Sequence, residues 1–203
     1  MSQPSSIEMA RLRAAAHELV EVFAERGYRI EVAQEVDPGF SGGGPRSALA
    51  RALAIDALSA AASHQGLDFR PVNGSGREIR IFSDGVDRRF RFRKATKRVM
   101  DGSYIIPANT DSALTGGTDD FSLISEETWV FGYTRSSDDL AVEDVFVAPV
   151  RSTTEGSPGH LVLGPVIDLL GGDTPVPGFR PKDEPLEGLG DDEDEDGTGT
   201  SWA

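Results

Sequence analysis

EIRIFSDGVDRRFRFRK, residues 78–94, places Ser83-Asp84-Gly85 between two alternating runs. Asp-Gly between alternating hydrophobic residues is a strong local signal for a β-hairpin, because both central positions of a tight hairpin turn require positive φ. Glu78–Phe82 and Val86–Lys94 are therefore expected to be antiparallel strands. Successive side chains on a strand point to opposite faces. Phe90 and Phe92 then enter a core, while Arg89, Arg91 and Arg93 face the other way.

Outward from this hairpin the hydrophobic period separates two regions. Upstream it is close to helical. Ser5 and Glu8 stand at capping-box spacing. Leu12, Ala16, Leu19 and Phe23 then form one stripe, which Gly27 terminates in the left-handed conformation. Tyr28–Ala33 alternates as a short strand does, and the Gly-rich loop 37–47 follows. Pro45 opens a second helix over about 46–64, with Leu49, Leu53, Ala57 and Ala60 or Ala61 inward and Gly66 as its stop. Downstream, further strands are expected at 67–72, 128–135, 140–150 and 160–163, with a loop excursion carrying one short strand over 99–125. Two helices followed by a run of strands is the α+β pattern. The expected architecture is one domain over 1–170, with two N-terminal helices on an antiparallel sheet of five or six strands.

Residues 171–203 change character. Gly, Pro and acids dominate, and the run DDEDED occupies 191–196. Residues 168–203 hold eleven acids against Arg180 and Lys182, a net of −9 within a chain of −14. Such a segment buries too little to fold and is expected to be a disordered tail. Trp202, almost at its end, is a candidate docking anchor.

Against that acidity, residues 87–98, DRRFRFRKATKR, gather seven of the chain's 20 Lys and Arg. The candidate binding residues are Arg88, Arg89, Arg91, Arg93, Lys94, Lys97 and Arg98. Three readings stand side by side. The cations pair with acids on neighbouring strands, such as Glu127 and Glu143. Alternatively they bind an anionic partner, nucleic acid or protein. In the third reading the acidic tail masks them, helped by its high effective concentration.

Other chemistry is thin. No cysteine is present, which excludes disulfides and thiolate sites. His17, His64 and His160 are isolated, so no histidine metal pair is indicated, and no cofactor is expected. Asp68 with Glu78-Ile-Arg80 distorts the Asp…Glu-x-Lys arrangement with which restriction-type nucleases hold a divalent cation, Arg replacing Lys. These are the weak catalytic candidates, beside the plain reading of an exposed Glu and Arg on a hairpin. The Gly-rich loop before the second helix lacks the Lys of a phosphate-binding loop. No leader-like N-terminus and no run of 18 apolar residues is seen, so a cytoplasmic protein without a membrane span is expected.

GREIRIF, DRRFRFRKAT, ETWVFGYT, VEDVFVAPV and GSPGHLVLGPVIDL together resemble a family of uncharacterised actinobacterial and phage-borne proteins. The resemblance spans about residues 7–170. It implies a gene neighbour that joins a helix-turn-helix domain to a zinc peptidase of the ImmA/IrrE type, in a toxin–antitoxin or phage-defence module. The chain would then be the effector or the regulated partner, acting through protein–protein interaction. The alternative is a toxin that binds or cleaves nucleic acid through the strand at 88–98, masked by the tail. The resemblance carries over no functional residues, and any peptidase chemistry would belong to the neighbour.

Overall fold

Ser5 and Glu8 close the expected capping box at the start of α1 (Ser6–Arg26): the Ser5 side chain accepts from the Glu8 N–H, and the Ser5 N–H donates to Glu8 Oε2 at 2.6 Å. The computed structural model describes residues 3–40, 42–72, 76–108, 125–154 and 159–171. All lie in the first of two compact units, Met1–Gly172. The acidic tail and Trp202 fall outside the described residues.

Leu12, Leu19 and Phe23 of α1 are buried as the stripe requires. The helix is expected to stop at Gly27, but Gly27 keeps right-handed φ at −55° and the chain re-enters a helix, α2 (Tyr28–Val36). The expected strand at 28–33 is thus helical. A Cβ at position 27 would lie 2.2 Å from the Leu140 carbonyl oxygen, so glycine permits a close approach here rather than a left-handed cap. A 3-10 turn (Pro38–Phe40) leads to α3 (Gly43–His64). The inner face of α3 is Ala50, Ala54, Ala57, Leu58, Ala61 and Ala62, displaced from the expected Leu49 and Leu53, which are half-buried. Ala15 and Ala16 of α1 belong to the same core. Small side chains on both helices allow their axes to come close. Among the described residues three α-helices therefore stand where two are expected.

The strands are β1 (Asp68–Pro71), β2 (Arg77–Ser83), β3 (Val86–Lys94), β4 (Thr96–Lys97), β5 (Tyr104–Ile105), β6 (Pro107–Ala108), β7 (Ser125–Arg135), β8 (Val142–Thr153), β9 (Gly159–Leu163) and β10 (Ile167–Asp168). The β2–β3 hairpin forms as expected, with Asp84 and Gly85 both at positive φ, 51° and 73°. Eight strands make the main sheet, in the order β1-β2-β3-β7-β8-β9-β6, with β10 on β8; β4 and β5 pair separately. The fold is α+β, but the sheet is mixed rather than antiparallel, because β3 and β7 run parallel. A parallel neighbour needs a crossing connection rather than a tight turn. Here that connection is the excursion after residue 94, which carries β4, β5 and β6.

The sheet has two unlike faces. On the helix side Ile79, Phe90, Phe92, Trp129, Phe131, Tyr133, Val145 and Val147 join α1 and α3 in the principal core. On the other side Val130, Phe146, Ala148 and Val150 form a second core with Ala95, Ile106 and Leu161. A Cβ at Gly132 would lie 2.3 Å from the Phe146 ring, so that ring sits over the bare backbone opposite it, stacked on Tyr104 at 4.0 Å.

Candidate functional site

β3 presents its arginines to both faces. Arg88 lies on the helix side, in register with Phe90 and Phe92, and is 3% exposed. Its guanidinium donates to Glu127 Oε2 at 3.2 Å, to both Glu8 oxygens at 3.3 and 3.4 Å, and to Ser83 Oγ at 3.0 Å. Trp129 Nε1 also donates to Glu127. Arg88, expected among the binding residues, is instead a buried tie between α1 and the sheet. Burial pushes the Glu8 carboxyl up. Hydrogen bonds from Ser83 and Ser5 and the charge of Arg88 outweigh this and hold it below its ordinary range.

On the opposite face Arg70, Arg80, Arg89 and Arg91 share three carboxylates. Glu78 accepts from Arg70 at 3.0 Å and stands 3.2 Å from Arg91. Asp87 takes both forks of Arg80 at 2.5 Å and Arg89 Nε at 3.1 Å, and Arg89 also reaches Glu126. Arg80 and Arg89 are directly opposite one another, a like-charge pair that is destabilising by itself. Asp87 resolves it from the next position on the same strand face as Arg89. The carboxyl of Asp87 is raised by burial but lowered more by hydrogen bonds and charge from Arg80 and Arg89, so it lies below the ordinary range. Arg93 is partnered as well.

From the last residue of β3 onward the cations are more exposed and pair with aspartates: Lys94 with Asp139 at 3.3 Å, Lys97 with Asp144 at 2.9 Å, Arg98 with Asp101 at 3.6 Å. The reading in which the cations pair with neighbouring acids thus matches the geometry, with Glu127 a partner as expected. Glu143 lies on β8, two strands away from β3. Glu8, Glu78, Asp87, Asp101, Glu126, Asp139 and Asp144 are the partners that sequence reasoning missed. Of these, Asp87 had a readable signal, standing two residues before Arg89 and so on its face of the strand.

Asp68 lies opposite Arg80, and Glu78 opposite Arg70 and Arg91. The three weak catalytic candidates share one sheet face, but the Glu78 carboxylate is held between the guanidiniums of Arg70 and Arg91, whose positive charge opposes a divalent cation there. Among the described residues no group of three or more His, Asp or Glu gathers at metal-binding distance. His64 pairs with Glu18 at 2.8 Å, and His17 is exposed on α1. An open groove of about 510 Å³ runs between α3 and the edge strand β1, lined by Ile55, Asp56, Phe69, Arg70 and Arg77.

Apolar surface is concentrated elsewhere. Val99 and Met100 are 99% and 95% exposed in the loop joining β4 to β5. That loop is tied by the Arg98 N–H to the Ser103 carbonyl at 2.7 Å and by the Gly102 N–H to the Arg98 carbonyl at 2.9 Å. Tyr28, Val32 and Val36 form an exposed line along α2, continued by Phe40. No described helix is long and apolar enough to cross a membrane. Compared with protein-family models, curated proteins and solved structures, the chain matches none of them.

Proposed function

We propose that the chain is a protein-interaction module, the effector or regulated partner in a two-gene toxin–antitoxin-like stress or phage-defence system. The observation that carries the reading is a contrast. Arg88, Arg89 and Arg91 of β3 are engaged by the chain's own carboxylates, while large apolar side chains of ordered elements, Val36 of α2 and Val99 and Met100 of the β4–β5 loop, face outward. Exposed apolar clusters on ordered elements mark surfaces that a partner covers. The resemblance over residues 7–170 supplies the genetic setting and the candidate partner, a helix-turn-helix protein with a zinc peptidase domain. The test is expression with and without that neighbour. Arrested growth when the chain is alone, relieved by the neighbour, identifies an effector. Normal growth with stable co-elution of the two identifies a regulated partner. Normal growth and no co-elution overturns the reading.

A second reading rests on Lys94, Lys97 and Arg98, which extend past the neutralised part of β3 with exposed side chains. They are the part of the basic stretch able to meet phosphates. If they do, affinity for a nucleic-acid oligomer falls steeply with salt, and Lys97→Ala with Arg98→Ala weakens it across sequences alike.

A further inference from the structure

The segment 28–36 contradicts its own composition. Tyr28, Ile30, Val32 and Val36 are β-branched or aromatic, poor helix formers that suit strands. Yet the segment is a nine-residue helix with one buried side chain, Ile30. Isolated helices shorter than about 12 residues are marginal in water, and proteins stabilise them by covering an apolar face. In α2 the apolar face is uncovered: Tyr28 is 56% exposed, Val32 48% and Val36 80%, and Phe40 beyond the helix 45%. At about 3.6 residues per turn these helical residues, four apart, make one stripe. Glu31 and Glu35 stand on one side of it, and Arg29, 6.0 Å from the Tyr28 ring centre, on the other.

We propose that this stripe is a docking site for a basic amphipathic helix of a protein partner. Charge selects the occupant. Residues 21–40 hold five acids and two bases; Arg26 is paired with Asp56 and Glu31 with Arg46 at 3.5 Å, and the segment keeps a net negative charge with Glu35 beside the stripe. A second copy of the chain would set two such acidic surfaces against each other. A helix with apolar residues along its centre and Lys or Arg beside them meets both the stripe and the acidic flank. In an engaged pair α2 gains the cover that its composition lacks.

The inference rests on the interaction reading above, and the test separates the two. The probes are two short amphipathic helices of one pattern, one of leucine and lysine, the other of leucine and glutamate. They are titrated against the full chain by fluorescence anisotropy. The leucine–lysine helix is expected to bind, and Val32→Ser with Val36→Ser is expected to weaken it by about tenfold or more. Both valines are exposed, so an unchanged far-ultraviolet spectrum confirms that the variant is folded. Glu31→Lys with Glu35→Lys should transfer the preference to the leucine–glutamate helix. Binding that ignores the valines is attraction to net charge alone and overturns the proposal. So does an α2-dependent dimer in sedimentation, which would make a second copy the occupant. If the neighbour-encoded partner co-elutes equally with the valine variant, docking at α2 fails while the interaction reading stands.

Discussion

Replacing Arg88 with methionine tests whether the most buried cation of the basic stretch is structural. Methionine keeps an unbranched apolar stem and removes the guanidinium. Glu8 and Glu127, with side chains 7% exposed each, would then lose the guanidinium they share. Removing one member of a buried ion pair costs about 3–5 kcal/mol, because the remaining charge stays desolvated. Here two carboxylates and Ser83 lose the same partner, so a loss near the upper end, about 4–5 kcal/mol, is expected. The assay is urea unfolding followed by Trp129 fluorescence in a Trp202→Phe background, which leaves a single indole. Adding Glu8→Gln and Glu127→Gln to Arg88→Met should return part of the loss, since neutral amides tolerate burial better than carboxylates. The loss should also shrink on acidification, as protonation removes the Glu8 charge that Arg88 stabilises. A loss below about 1 kcal/mol, the range of exposed ion pairs, or no recovery in the triple variant, refutes the buried tie.

Three further outcomes follow from the same geometry. Glu8 and Asp87 are both held below their ordinary ranges of about 4.5 and 3.8 in the folded chain. Their contribution is therefore complete above those values and is lost as the pH falls through the lower folded ones; urea midpoints between pH 6 and about pH 3 should fall, and less so in Glu8→Gln with Asp87→Asn. Gly132→Ala should displace the Phe146 ring and cost about 1–3 kcal/mol; Phe146→Leu in the same chain should return part of it, read by thermal unfolding. Glu78→Gln leaves Arg91 without its carboxylate and should cost about 3 kcal/mol; the nuclease arrangement instead requires a chelator-sensitive cleavage activity that this change abolishes at unaltered stability, measured on a labelled oligonucleotide.

The two faces of the hairpin were legible because strand alternation is local. Asp84-Gly85 dictated the turn, and Phe90 and Phe92 pointed into the core as their spacing required. The α1 cap and stripe were legible for the same reason. The parallel pairing of β3 with β7 was not, since the crossing connection leaves no turn signature, and alternation is the same in either direction. The helix at 28–36 was read as a strand because Tyr28, Ile30 and Val32 alternate; Gly27 pressed against Leu140 continues the helical backbone there. The basic stretch was visible as charge but not as a neutralised lattice. Asp87 and Asp101 are local, but the other partners come from α1, β2, β7, β8 and a turn, which only the fold brings alongside. Arg88 was misplaced because the outward run of Arg89, Arg91 and Arg93 suggested one basic patch, whereas Arg88 shares the parity of the phenylalanines.

The central claim, that the chain acts through a protein partner and not through nucleic acid bound by its basic strand, is tested most directly by affinity purification of the full-length tagged chain at native expression. The eluate is divided, and one half is treated with nuclease before the wash. The account predicts a protein in fixed stoichiometry with the chain, retained after nuclease and in high salt. A chain that elutes alone, or with nucleic acid that salt removes, contradicts it.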